Sequence, residues 1–397
     1  MINETDMNKY IPQVSMCMMT AVMLAASLLA FHSCREDQLV IYSEEDITGG
    51  ASSDGDIVGM YVLNEGNMGS NKCTLDYLDL IGKDGTSVYH RNIYSERNPH
   101  EIKELGDVGN DIKIYGSRLW MVINCSNKVE VATADSAHKI GKIDIPNCRY
   151  VSFYGDHAYI SSYVGPVMVS GDAPLGRVYK VDTLTLQKVD SITVGYQPEQ
   201  MAIANGHLYV ANSGGYRVPN YDNTVSVIDL ATFREISKIE VDINLHKMCA
   251  DRYGQVWVTS RGDNMLIAPS LHWLSPDGHI GHIDIPITDM CMVGDSLYYI
   301  GTTVDIYTGK TTFSHGIIDV KKHEQVCSSL SDAHEMQSMT MPYAMIVNPI
   351  DHDFYIMDAK NYVSSGLLYH FLHDGSFDWK QKTGDIPAHA CFVYKKQ

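Results

Sequence analysis

The chain has 397 residues, 45% of them hydrophobic, enough material for a large buried core. Its 48 acidic side chains outnumber 30 basic ones, for a net charge of −18. That surplus argues against nucleic acid, whose phosphates demand a basic face, and it repels anionic lipid, so any hold on a membrane has to be covalent.

The first element in chain order is "VSMCMMTAVMLAASLLAF" (14–31), a nearly uncharged apolar run. Its length is compatible with a transmembrane anchor, but the polar and acidic sequence that follows at once fits a cleaved export signal better. The segment resembles a bacterial lipoprotein signal, which implies removal of residues 1–33 and lipidation of Cys34. Phe31 stands where such signals usually carry Leu, Lys9 is the only basic residue upstream, and Met7 is an alternative start. Arg35, Glu36 and Asp37 directly after the cysteine resemble the surface-export signal of lipoproteins in Bacteroidota-type bacteria. That resemblance implies the outer face of the outer membrane. Residues 34–56 read as a tether, flexible over its low-hydrophobicity part, 44–56.

From residue 57 onward short alternating strands replace any helical period, and one pattern recurs. An aromatic leads a strand in "GMYVLN" (59–64), "SRLWMVIN" (117–124), "DHAYISS" (156–162), "GHLYVAN" (206–212), "GQVWVTS" (254–260), "DSLYYIG" (295–301) and "HDFYIMD" (352–358). The aligned aromatics are Tyr61, Trp120, Tyr159, Tyr209, Trp257, Tyr298 and Tyr355. Each interval accommodates one four-stranded blade with its loops. The second half of the unit repeats as well, in "VYKVDTLTLQKVDSI" (178–192) and "VSVIDLATFREISKI" (225–239), where an Asp closes one strand before a short turn. Asp84-Gly85, Asp277-Gly278 and Asp374-Gly375 suit the positive φ angles of hairpin turns. No room precedes Tyr61 for an innermost strand, while "IPAHACFVYK" (386–395) looks like a first strand with no second. The C-terminal strand is therefore expected to complete the first blade. The fold class is all-β: a seven-bladed β-propeller over 57–397, four antiparallel strands per blade, its ring closed by the C-terminal strand.

The repeat aromatics, with Met201, Met248 and Met290, are read as blade core. Seven scattered cysteines past Cys34 (Cys73, Cys125, Cys148, Cys249, Cys291, Cys327 and Cys391) show no metal-ligand spacing and read as small hydrophobes. His279 and His282 would face opposite ways on a strand. No nucleotide-binding, nucleophile-elbow or zinc-protease motif is present, so neither catalysis nor a cofactor is expected.

Unusual residues concentrate in the b–c and d–a loops, which gather on one face of a propeller. These include 64–73, 163–176, 213–223, 260–269, 302–315 and 359–365. Asn64, Glu65, Asn67, Tyr163, Arg217, Tyr221, Arg261, Tyr307 and Tyr362 are the residues expected to ring the channel mouth. Tyr supplies rigid amphipathic area and Asn supplies donors and acceptors.

"YVLNEGN…TLDYLD", the "VSVIDLATFREISKI" repeats and the closing "IPAHACFVY" resemble the YncE-like propeller lipoproteins of Bacteroidota. One branch of that group binds cobalamin at the cell surface and caps a TonB-dependent outer-membrane transporter. The resemblance thus implies cobalamin or a related corrinoid as ligand and such a transporter as partner. A propeller that binds a protein, peptide or glycan is the alternative.

Overall fold

The structure, a computed structural model, describes residues 39–47, 56–82, 85–101, 104–263, 265–304, 308 and 311–395. Cys34 and Tyr307 lie outside the described residues. Seven antiparallel sheets follow one another in chain order, six of four strands and one of five. The first blade takes its innermost strand from Pro387–Tyr394, which pairs with Ile57–Asn64 from Ile57 opposite Tyr394 to Asn64 opposite Pro387. The ring is therefore closed as the sequence implied.

Each of the seven hydrophobic clusters bridges two neighbouring blades, including one that joins the last blade to the first. There Phe392 and Trp379 pack with Met60, Tyr355 and Leu368. This follows from strand alternation: every blade has two apolar faces, and each must be buried against the next blade. Six of the seven repeat aromatics are buried in these clusters; Tyr209 is half-buried. All seven described cysteines are free thiols, with Cys73 and Cys148 fully buried. No helix of the described residues is long and apolar enough to cross a membrane.

Conserved geometry in the repeat explains its Asp. In the c–d turns, Asp182 Oδ1 accepts from the Thr185 N–H at 2.7 Å, and Asp229 Oδ1 from the Thr232 N–H at 2.7 Å. Asp319 Oδ1 accepts from Lys321 and Lys322 N–H at 2.9 and 3.0 Å. These bonds fix the turn locally, as short acidic side chains do in loops.

A second stitch joins the inner strands around the channel. Asp111 Oδ2 accepts from Val151 N–H (2.9 Å), Gln200 Oε1 from Met248 N–H (2.9 Å), and Asp289 Oδ2 from Met345 N–H (2.9 Å). All three acceptors occupy the same strand position, and each reaches into the next blade. They link blade two to three, four to five and six to seven.

The tether departs from expectation. Ser43–Asp46, in the tether and overlapping the part read as flexible, forms a fifth strand on the outer edge of the first blade, with Ser43 opposite Arg91 and Asp46 opposite Val88. Asn92 Nδ2 donates to Val40 O at 2.8 Å, and Gln381 Nε2 donates to Glu45. Backbone pairing at a sheet edge needs no apolar face, which is how a run as polar as "SEED" can be a strand.

Candidate functional site

Strand a of every blade starts at the loop-rich face. Just before it the chain turns through a residue at positive φ in five blades: Val108 (58°), Asn147 (42°), Gln197 (48°), Asn244 (54°) and Ile386 (57°). The second residue after that turn lines the channel mouth in four of these blades, as Asn110, Arg149, His246 and Ala388, and in the fourth blade it is Glu199, bonded to Arg149. Asn is among the residues that adopt this left-handed conformation most readily. The side chains of three such residues also hold the b–c loop of their own blade. Asn147 Nδ2 donates to Gly165 O (2.7 Å), Asn244 Nδ2 donates to Gly262 O (3.0 Å), and Gln197 Oε1 accepts from Tyr216 N–H (2.7 Å).

The mouth is a funnel of about 330 Å³, lined in part by Glu65, Asn67, Arg149, His246, Lys247, Arg261, Tyr343 and His389. Tyr150 lies among them at the centre, its hydroxyl bonded to His246 Nε2 at 3.0 Å and its ring 6.5 Å from that of His389. The charged wall is built on Glu199. Arg149 Nε and Nη2 both donate to Glu199 Oε2 at 3.0 Å, and Arg261 Nη2 donates to Oε1 at 2.8 Å. The Tyr163 hydroxyl donates to the same Oε1 at 2.5 Å, with the Arg149 guanidinium 4.8 Å over its ring. Burial alone would raise the Glu199 carboxyl, but Arg149, Arg261 and the Tyr163 hydroxyl hold it below the ordinary carboxylate range. Burial, reinforced by Arg261, Lys247 and Arg149, drives the His246 pKa well below the usual imidazole value. That ring is neutral, and its Nε2 shares a hydrogen bond with the Tyr150 hydroxyl.

On a neighbouring part of the wall Lys247 Nζ lies 3.0 Å from Asp289 Oδ1. Opposite, the Glu65 carboxylate accepts from the Tyr343 hydroxyl at 3.3 and 3.4 Å, and His389 Nε2 is 3.5 Å away. The Glu65 charge, followed by burial, lifts the Tyr343 pKa well above its ordinary value.

An apolar crown stands on the b–c loops of the same face, with Met68 and Tyr216 reaching the funnel itself. Met68, Met168, Val169, Tyr216, Val218, Met265, Leu266, Ile267, Tyr362 and Val363 are exposed, all on b–c loops of five blades. Leu266 is 93% and Met265 79% exposed. Asp263 fixes their tip: its Oδ1 accepts the N–H groups of Met265, Leu266 and Ile267, each at 2.8 Å. Large apolar side chains this exposed are a feature of interaction surfaces in general.

Of the residues expected at the mouth, the structure brings Glu65, Asn67 and Arg261 together in the funnel. Tyr362 stands beside Tyr343, ring centroids 5.5 Å apart and edge-on. Tyr163 is buried, supporting Arg149 and Glu199 from behind instead of facing a ligand. Asn64 is fully buried, its Nδ2 donating to Thr74 Oγ1 at 3.1 Å. Arg217 lies away from the funnel, 3.6 Å over the Tyr196 ring, and half-buried Tyr221 does not line the cavity either. Of the two expected outward amides, Asn64 is thus committed to the protein's own fold, while Asn67 lines the funnel. Sequence reading missed Arg149, Glu199, His246 and Lys247. The available signal for the first three was the recurrence of Asn/Gln-x-ionisable at the d–a links: "NCR", "QPE" and "NLH".

Around a second cavity, between blades five and six, His272 pairs across the strands with His282. Asp242 Oδ2 and Ser270 Oγ both approach the same His272 nitrogen, at 3.1 and 2.8 Å. A nucleophilic triad needs them on opposite ring nitrogens, so this cluster is not one. Among the described residues no group of His, Cys, Asp and Glu is arranged to hold a metal ion.

No protein-family model and no curated protein matches the sequence. Solved structures do match in fold. A quinoprotein alcohol dehydrogenase-like protein from Bacteroides thetaiotaomicron superposes with a TM-score of 0.57 at 13% identity, covering 86% of this chain and 80% of its own. A 6-phosphogluconolactonase-like protein from Bacteroides fragilis gives 0.56 at 11% identity, with 86% and 99% covered. Hydrazine synthase from Kuenenia stuttgartiensis gives 0.55 at 17%, with 67% and 77% covered. The chain is a seven-bladed β-propeller similar to these, and at such identities the likeness concerns the fold alone.

Proposed function

We propose that this protein is a non-catalytic, lipid-anchored binding propeller of the outer membrane. Its loop face takes cobalamin or a related corrinoid and passes it to a TonB-dependent transporter. The observation that carries this reading is the donor-rich funnel with an apolar crown on the same face. A corrinoid offers an apolar macrocycle with an edge of amide and phosphate oxygens, which is the complementary pattern. At about 330 Å³ the funnel is at the lower end of ligand pockets, roughly 300–1,000 Å³, so it receives a side arm while the macrocycle lies across the crown. The fifth strand of the first blade supports it: Val40, just before that strand, is held by Asn92 at the loop-face end, so an upstream anchor would tether the protein by that end.

The test is calorimetric and spectroscopic titration of cobalamin against wild type and a Tyr216→Ala, Tyr362→Ala double variant. Tight wild-type binding is expected, weakened in the variant by about 2 kcal/mol or more, roughly thirtyfold. No binding to wild type rejects the corrinoid; tight binding left intact in the variant rejects this face. The protruding Met265–Ile267 tip favours a second reading, a protein partner on the crown, which co-purification from outer membrane would reveal.

A further inference from the structure

We infer that the funnel is a subsite for an oxyanion, a carboxylate or a phosphate group. This deepens the reading of the loop face as the binding surface and names what its centre accepts. Two guanidiniums, Arg149 and Arg261, share the single carboxylate of Glu199, so that wall carries one positive charge without a counter-charge. Lys247 is matched one to one by Asp289, while Glu65 on the far wall keeps its own negative charge, hydrogen-bonded by the neutral Tyr343 hydroxyl. The funnel as a whole is therefore balanced, and the positive excess is local to the wall of blades three to five.

Two donors are also left over. Arg261 Nε and Asn67 Nδ2 are shielded from solvent yet make no hydrogen bond. Both residues line the funnel, from blades five and one. A shielded donor without an acceptor costs about 1–3 kcal/mol, and more when it is charged. An acceptor seated in the funnel relieves that cost at both. Burial first, and then Arg261, Lys247 and Arg149, hold the His246 pKa low, so the same positive side chains reach that ring. A guanidinium with a free edge beside an amide N–H is a good match for a carboxylate or phosphate oxygen. The cavity's size limits the occupant to a small anion or to one anionic arm of a larger ligand.

Inorganic phosphate and succinate, titrated separately by calorimetry, test this and distinguish the two sources of the chemistry. At least one is expected to bind wild type with a single site, and to bind Arg261→Gln at least tenfold more weakly. Asn67→Ala, a change on a half-buried loop residue, is expected to weaken the same anion while melting like wild type, which guards against misfolding of the arginine variant. Failure of both anions to bind, or equal binding to all three proteins, overturns the subsite. Competition with cobalamin separates the two proposals. Cobalamin bound without any anion site leaves the loop-face reading intact and removes the subsite. An anion site without cobalamin binding keeps the subsite and removes the corrinoid.

Discussion

Replacing Glu199 by Ala is the sharpest perturbation of the site. The Glu199 side chain is 1% exposed and that of Arg149 14%, so the substitution strands a buried guanidinium. Breaking a buried pair by removing one partner costs about 3–5 kcal/mol. The second partner, Arg261, is 38% exposed, and solvent screening makes its share small. Unfolding entropy of roughly 2.1 cal/mol/K per residue gives about 0.7 kcal/mol/K for the whole ring, so Tm should fall by about 4–7 °C. Differential scanning calorimetry at neutral pH reads this directly. The pH dependence has a fixed sign. A carboxyl held below its unfolded value of 4.5 contributes stability above that pH and loses it as the pH falls toward the folded value. Acidification below 4.5 should therefore narrow the gap between wild type and Glu199→Ala. A variant that melts within about 1 °C of wild type at neutral pH, or a gap that widens in acid, refutes the charged wall as a stabilising element.

Ring closure and anchoring give two more expectations. Phe392→Ala removes a buried ring that bridges the last and first blades, and should cost about 3–5 kcal/mol, whereas Tyr394→Ala, at an exposed position of the same strand, should stay within about 0.5 kcal/mol. Equal melting temperatures for the two variants would contradict the closure argument. Cys34→Ala should abolish labelled-palmitate incorporation and leave the protein soluble or unprocessed; label retained in the variant rules out Cys34 as the anchor.

The architecture was legible because a propeller repeats its constraints. Tyr61, Trp120, Tyr159 and their equivalents recur since every blade buries its second strand in the same way. The closing strand was readable as a remainder, one unit beginning without its first strand and another lacking its second. The Ser43–Asp46 strand was not, because an edge pairing made by backbone alone leaves no apolar alternation to read. The funnel was hidden for another reason. Arg149, Glu199, His246 and Lys247 come from three separate blades, and no local window contains more than two of them. Asn64 misled in the opposite direction. It reads as a presented amide, but its side chain is buried and donates to Thr74, whereas Asn67 does line the funnel; the d–a residues Asn147 and Asn244 tie down loops.

That division of labour bears on how such a face can change its ligand. The funnel stands largely on strand a, and strand a is locked into the ring by the Asp111, Gln200 and Asp289 stitches, so Arg149 and Glu199 cannot drift independently of the fold. The crown stands on loops, each held at its base by a d–a amide or, at its tip, by a carboxylate such as Asp263. Substituting Leu266 or Met168 leaves every one of those bonds in place, because both side chains are exposed. Apolar reach can therefore vary while the polar centre stays fixed. The net charge of −18 adds a constraint of its own. At physiological salt charges are screened over roughly 8 Å, so an anion approaching from solution meets a generally acidic surface and feels the Arg149 and Arg261 excess only near the mouth. Long-range steering cannot bring such a ligand in. On the proposed reading, the apolar crown would supply the first hold, and the funnel would select among what the crown had already captured.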